Sequence, residues 1–247
     1  NNAHFKMAKE LFALAKFSAA RYQWRRLLNE LSDTQGAQAA TIAYEMQWFD
    51  RGIYALAEFG KSNDVTRRFP RPYPEYFAAS ATKYSHPKSW LYAIARRESA
   101  FAPDARSSAN ARGLMQILPQ TANYLTKNGH KTSQLNDPKR NIALGAQYLG
   151  YLSDKVTDNI VLRTAAYNAG WKNVQKWLPL DAMPLEQWIE LIPFKETREY
   201  VKAVITYERI YAQQLNQLSA IQPTNAEEYV SYTILTSNLE TGTLSAR

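Results

Sequence analysis

Among its 247 residues the sequence has no cysteine. Disulfide frameworks, thiolate metal sites, cysteine nucleophiles and thiol-anchored lipids are therefore excluded. Glycine is scarce, with 9 residues, while alanine and leucine are abundant, a balance that favours helix. No apolar run approaches the ~20 residues that span a bilayer. The first residues, Asn1-Asn2-Ala3-His4, carry no signal-peptide pattern. The basic residues form no runs; their densest groupings are the pairs Arg25-Arg26, Arg67-Arg68, Arg96-Arg97 and Lys139-Arg140. Nucleic acid is therefore disfavoured as a partner even though 30 Lys and Arg outnumber 22 Asp and Glu. His4, His86 and His130 lack metal-ligand spacing, and no EF-hand or phosphate-binding loop occurs. No metal and no cofactor is implied.

What is present is helical periodicity. Residues 3–31 read as one helical stretch and 37–59 as a second, with Asp33-Thr34-Gln35-Gly36 as the turn between them. Such hairpins are stacked in α-solenoids. The segment 69–74, Phe-Pro-Arg-Pro-Tyr-Pro, forbids helix and marks a domain boundary. Beyond it, helices are predicted at 75–84, 88–99, 119–128, 138–155, 158–169, 172–178, 184–191 and 195–217. Asp137-Pro138 reads as a helix start, and Gly129 and Gly170 as helix ends. Between 101 and 118 the helical period is lost, leaving loops with at most a short hairpin. The division is 1–74, 75–221 and a polar tail, 222–247. The formal surplus is +3 over 1–82, +7 over 83–221 and −2 over the tail, so the positive field belongs mainly to the second region.

Within 90–99, Leu91, Ile94 and Ala95 form an apolar stripe, and Glu98 falls near its middle while Arg96 and Arg97 fall off it. A carboxylate on a buried face is paired or protonated. Burial and the C-terminal end of a helix both raise its pKa, which suits a general acid at neutral pH. Periodicity alone leaves this reading level with a surface salt bridge at a helix end.

Glu98-Ser99-Ala100-Phe101 is followed by Gly113-Leu114-Met115-Gln116-Ile117-Leu118-Pro119, by Ala165-Ala166-Tyr167-Asn168-Ala169-Gly170, and by Ile192-Pro193-Phe194-Lys195-Glu196-Thr197-Arg198-Glu199-Tyr200-Val201. These four ordered motifs resemble the catalytic domain of the soluble lytic transglycosylases, over roughly residues 74–217. The upstream helices resemble the end of that family's superhelical domain by architecture alone.

The resemblance implies an all-α fold with at most a very small β element, a lysozyme-like, goose-type catalytic domain preceded by helical hairpins of an α-superhelix. It implies cleavage of the β-1,4 bond between N-acetylmuramic acid and N-acetylglucosamine without water, giving 1,6-anhydro products. Glu98 would be the single catalytic acid, then base. Ser107, Met115, Gln116, Leu118, Tyr167, Asn168 and Glu196 would bind substrate. Leu118 stands where many relatives carry methionine. Asp104, in an Ala-Pro-Asp-Ala loop, reads as a turn former rather than a second catalyst. The implied partner is the peptidoglycan glycan strand with its peptide stems, not nucleic acid. Other cell-wall enzymes and the outer membrane are further partners to consider, and the implied location is the periplasm of a Gram-negative bacterium. Two alternatives remain open at this level: a hydrolytic, goose-type muramidase, and a non-catalytic peptidoglycan-binding scaffold.

Overall fold

A computed structural model describes residues 2–127, 131–217 and 229–231. Thirteen α-helices run through the described residues. The first four are α1 (Ala3–Ala13), α2 (Phe17–Leu28), α3 (Asp33–Glu45) and α4 (Phe49–Glu58). They pack as two antiparallel pairs, α1 on α2 and α3 on α4. Their shared core includes Trp24, Leu27, Ala40, Ala43, Trp48 and Leu56. The two long helical stretches expected at 3–31 and 37–59 are thus each broken in the middle. Ala15 (φ 55°) and Gln47 (φ 59°) adopt the left-handed conformation there. Lys16 N–H then bonds back to Leu11 at 2.8 Å, and Trp48 N–H to Ala43 at 2.8 Å. This is the closure that glycine usually supplies at a helix end, which is why neither break shows in the sequence.

Asp33-Thr34-Gln35-Gly36 is likewise not a turn but the opening of α3. Ser32 caps it, in a reciprocal pair with Gln35. Gly36 serves close packing: the Phe59 ring fills the space a Cβ would need.

After the one-turn α5 (Val65–Arg68), the proline-rich stretch runs without helix to Tyr73, and Pro74 opens α6 (Pro74–Lys83). The stretch is strapped down along its length. Tyr211 donates to the Pro70 carbonyl at 3.1 Å, Tyr92 to that of Pro72 at 3.1 Å, and Arg71 to that of Gln214 at 2.8 Å.

The remaining helices are α7 (Lys88–Ser99), α8 (Pro119–Thr126), α9 (Pro138–Val156), α10 (Ile160–Ala169), α11 (Trp171–Trp177), α12 (Leu185–Leu191) and α13 (Lys195–Gln214). α7 is the central buried helix, and its most extensive partner is α13. Two polar ties inside the core fix its rotation. Ser89 donates to Glu208 at 2.6 Å, and the Trp90 indole donates to Thr164 at 3.0 Å. Arg96, expected off the buried stripe, is itself buried. Its guanidinium lies over Phe69 and Tyr207 and donates to the Arg68 carbonyl at 3.1 Å. The helix is enclosed on more than one side, so a single-face reading misplaces this residue.

Asp137 caps α9 as expected, and Gly170 ends α10 at φ 84°. The expected helix end at Gly129 lies outside the described residues. A 3-10 turn at Thr132–Asn136 was not foreseen. Of the tail, residues 229–231 are described: β2 (Tyr229–Val230) pairs antiparallel with β1 (Met183–Pro184). Among the described residues the architecture is all-α with this one two-stranded β element.

Candidate active site

α7 ends in left-handed backbone at Ala100 (φ 52°) and Phe101 (φ 66°), which turns the chain sharply out of the helix. Glu98 is carried on the last turn before that reversal, half-buried at the floor of a cleft of about 540 Å³. Tyr200, from α13, donates its hydroxyl to Glu98 Oε1 at 2.6 Å. Burial pushes the Glu98 carboxyl up to about 7. The nearby Glu196 carboxylate adds to the rise, while the Tyr200 hydrogen bond and the Arg97 charge oppose it. The carboxyl is therefore protonated in a large fraction of molecules at neutral pH, as a proton donor must be. No ion pair forms at Glu98 among the described residues, so the salt-bridge reading does not hold.

The loop 101–118 folds over this acid. Arg112 bridges both Arg106 and Ile117, giving the short hairpin-like pairing anticipated there. Several side chains peg the 112–118 segment to the helices beneath. Ser99 donates to the Leu114 carbonyl at 2.8 Å, and Tyr167 donates to that of Met115 at 2.7 Å. Asn141, fully buried, accepts from Met115 N–H at 2.7 Å and donates to the carbonyls of Arg112 and Leu135. Gly113, at φ 74°, is pressed against Leu135 and Asn141 and has no room for a side chain. The loop geometry is thus set by a buried amide and a glycine that approach each other closely.

Of the residues singled out in the sequence, Glu98, Ser107 and Gln116 line the cleft. Gln116 Nε2 donates to the carbonyls of Gly113 (2.8 Å) and Ala105 (3.3 Å). Ser107 Oγ accepts from Ala111 N–H at 3.0 Å and makes no bond to Glu98. Met115 is fully buried against Gly145. Leu118 precedes α8 and is 37% exposed. Tyr167 is close enough to feel the Glu98 charge, and its hydroxyl pKa is raised chiefly by burial. Asn168 accepts from Thr197 at 2.7 Å, docking the end of α10 beside the exposed Glu196.

Two features escaped the sequence reading. Tyr200, rather than Tyr167, touches the acid. The signal was present: Tyr200 lies four residues after Glu196, on one face of a helix. The second is the cleft's other wall. It comes from α2 and α4, through Ser18, Arg21, Asp50, Arg51 and Tyr54. Arg21 grips Asp104 with both terminal nitrogens, each at 2.6 Å, and its Nε reaches Asp50 at 3.5 Å. Asp50, nearly inaccessible, also accepts from Arg51 Nε at 2.9 Å. Asp104 is thus an anchor between the two helical regions rather than a turn former alone.

Among the described residues no cluster of His, Cys, Asp or Glu is arranged to hold a metal ion. His86 is a core residue, its ring against the Ala146 carbonyl at 3.0 Å and its pKa pushed down to about 4 chiefly by burial.

Three family models match the chain: the Transglycosylase SLT domain over residues 75–185, the Soluble lytic murein transglycosylase L domain over 1–65, and the Soluble lytic transglycosylase helical domain over 191–220. A putative soluble lytic murein transglycosylase of Haemophilus influenzae is 38% identical over 213 residues, covering 84% of this chain and 36% of that protein. An inactive mutant of the lytic transglycosylase Slt of Pseudomonas aeruginosa superposes with a TM-score of 0.85 at 35% identity, covering 94% of this chain and 38% of the other. A 70-kDa soluble lytic transglycosylase in complex with bulgecin A gives a TM-score of 0.82 at 32% identity, covering 91% and 38%. The chain therefore spans little more than a third of the length of these relatives. Three successive domain models in a single chain, a close superposition and an acid poised at the end of a buried helix agree: this chain belongs to the soluble lytic transglycosylase family.

Proposed function

We propose that this chain cleaves the β-1,4 bond between N-acetylmuramic acid and N-acetylglucosamine in peptidoglycan, with Glu98 as acid and then base. The observation that carries the proposal is the contrast among the acids lining the cleft. Asp50 and Asp104 are both held by arginine, whereas Glu98 has no cationic partner and titrates near neutrality. Neither of the other two carboxylates in the cleft lining, Asp50 and Asp104, is free to activate a water, which suits a reaction that needs none; Glu196 is exposed and lies outside that lining. Paired carboxylates are the hydrolytic arrangement.

Glu98 protonates the glycosidic oxygen as the C1–O4 bond breaks. The resulting carboxylate takes the proton of the muramoyl C6 hydroxyl as O6 bonds to C1, closing the 1,6-anhydro ring. The nucleophile is already part of the substrate, which gives it a high effective concentration. Tyr200 holds the carboxyl in place and stabilises its ionised form in the second step. Ser107 and Gln116 line the sugar path, Leu118, Tyr167, Asn168 and Glu196 border it, and Met115 supports it from beneath. The division into 1–74, 75–221 and 222–247 belongs to the same reading, supported by two apolar clusters, one within the N-terminal helices and one centred on the later helices that Ile53 and Phe69 also join.

The relatives named above come from Haemophilus and Pseudomonas, which supports a Gram-negative periplasmic setting. Among the described residues no helix is long and apolar enough to cross a membrane. Other cell-wall enzymes and the outer membrane are proposed as further contacts.

Mass spectrometry of digested sacculi tests the reaction. Anhydromuropeptides are expected from the wild type and none from Glu98→Gln. Reducing-end muramic acid, heavier by one water, would establish the muramidase instead. An inactive but sacculus-binding wild type would establish the scaffold.

A further inference from the structure

The positive surplus of the second region is gathered in one lobe. Between residues 105 and 153 there are six basic residues, Arg106, Arg112, Lys127, Lys131, Lys139 and Arg140, against one acid, Asp137. That stretch holds +5 of the +7 carried by residues 83–221, while residues 154–217, with eight basic and eight acidic residues, hold none of it. The fold draws the six onto one body. Arg106 and Arg112 are partners in the short pairing of the 101–118 loop. The Arg112 carbonyl is bonded to Asn141, the residue after Arg140. The 3-10 turn Thr132–Asn136 leads from Lys131 back onto α9, and α8, capped by Lys127, packs on α9 as well.

Arg106, Lys127, Lys131 and Lys139 are exposed, and none of them forms an ion pair among the described residues. They are spread over the lobe, and no carboxylate fixes their direction. Such a set suits a continuous plane of negative charge better than one small anion. Tyr124 stands on α8 one turn before Lys127, 65% exposed, its ring edge-on to Tyr151 at 5.4 Å. An exposed tyrosine beside lysines suits the headgroup level of a bilayer, with the ring toward the chains and the hydroxyl in water. We propose that this lobe docks on the phosphate headgroups of an anionic phospholipid surface. The 101–118 loop both lines the cleft and carries Arg106 and Arg112, so docking sets one rim of the cleft against the lipid. This goes beyond the reaction assigned above and does not depend on Glu98.

The test is co-sedimentation of the full chain with vesicles of phosphatidylcholine alone and of phosphatidylcholine mixed with phosphatidylglycerol. Binding is expected to the mixed vesicles only, and to fade at high salt. Each lysine at such a surface is worth roughly fivefold in affinity, so Lys127→Gln combined with Lys139→Gln should weaken binding by about twenty-five-fold. Lys172→Gln combined with Lys176→Gln makes the same change in net charge on the exposed side of α11, in the balanced part of the chain, and should leave binding nearly unchanged. All four lysines are exposed, so the fold is expected to tolerate both pairs. Tyr124→Ala should weaken binding in a manner that salt does not alter. Equal binding to the two kinds of vesicle, or equal losses from the two lysine pairs, overturns the proposal. Salt-sensitive binding to purified sacculi without binding to either vesicle also overturns it, and assigns the lobe to peptidoglycan instead. No substrate is present with the vesicles, so this failure is distinct from a failed product analysis.

Discussion

The N-terminal helices 3–58 and the region 74–217 are both α-helical, but they are held together differently. The first has a core of alanine, leucine and tryptophan, with Trp24, Trp48 and Phe12 in ring contact. Neither indole nitrogen of Trp24 and Trp48 finds a protein partner. In the second, polar groups inside the core pair specifically: Ser89 with Glu208, Trp90 with Thr164, and Asn141 with three backbone groups. Apolar packing tolerates small slips, while a buried hydrogen bond is lost if its geometry drifts. The region that must hold an acid at a fixed place is the one built on the less forgiving contacts.

The two regions meet across the Arg21–Asp104 pair, and, short of removing Glu98 itself, breaking it gives the largest expected effect. Arg21→Ala should lower kcat/KM by about ten- to a hundred-fold, since small displacements of a positioning loop cost that much. The alkaline limb of the pH profile should stay where it is, because neither Arg21 nor Asp104 contributes to the Glu98 shift. Steady-state rates on soluble glycan strands check this. An unchanged rate would mean that the two regions work independently.

A second experiment concerns the cost of the site itself. Glu98 binds its proton more tightly in the folded chain, near pH 7, than in the unfolded chain, near 4.5. Stability is therefore lost as pH rises from about 4.5 to 7. Glu98→Gln should show no gain at pH 4 and a gain of roughly 1–3 kcal/mol at pH 8, discounted for the partial exposure of the carboxyl. Urea denaturation at the two pH values measures it, and a pH-independent difference would contradict the shifted titration.

The smallest effect belongs to the N-terminal region. Ala15→Gly and Gln47→Gly each relieve left-handed backbone at a helix end and should stabilise by about 0.5–1 kcal/mol. Thermal unfolding detects this, and destabilisation would show that the side chains contribute more than the backbone strain costs.

Those two positions also show where sequence reading stops. Apolar periodicity and start signals such as Asp137-Pro138 made the helices after residue 74 legible to within about three residues. The motif spacing brought out Glu98, Gln116 and Tyr167 together. Breaks at Ala15 and Gln47 were invisible because these residues have no marked preference for left-handed backbone. They adopt it only because the following helix pays back the strain by packing. Tyr200 and Arg21 were missed for a related reason. Their roles come from partners 102 and 83 residues away in the chain, and beyond the spacing of Tyr200 from Glu196 no local pattern hints at such a meeting.

The fork between Arg21 and Asp104 has a mechanical consequence. Two parallel bonds between planar groups resist twisting as well as stretching, so a tilt of α2 turns the Asp104 carboxylate with it. The next residue, Ala105, offers the carbonyl that Gln116 and Gly113 hold. The α2 helix is thereby tied, through Asp104 and the Ala105 carbonyl, to the loop that lines the cleft.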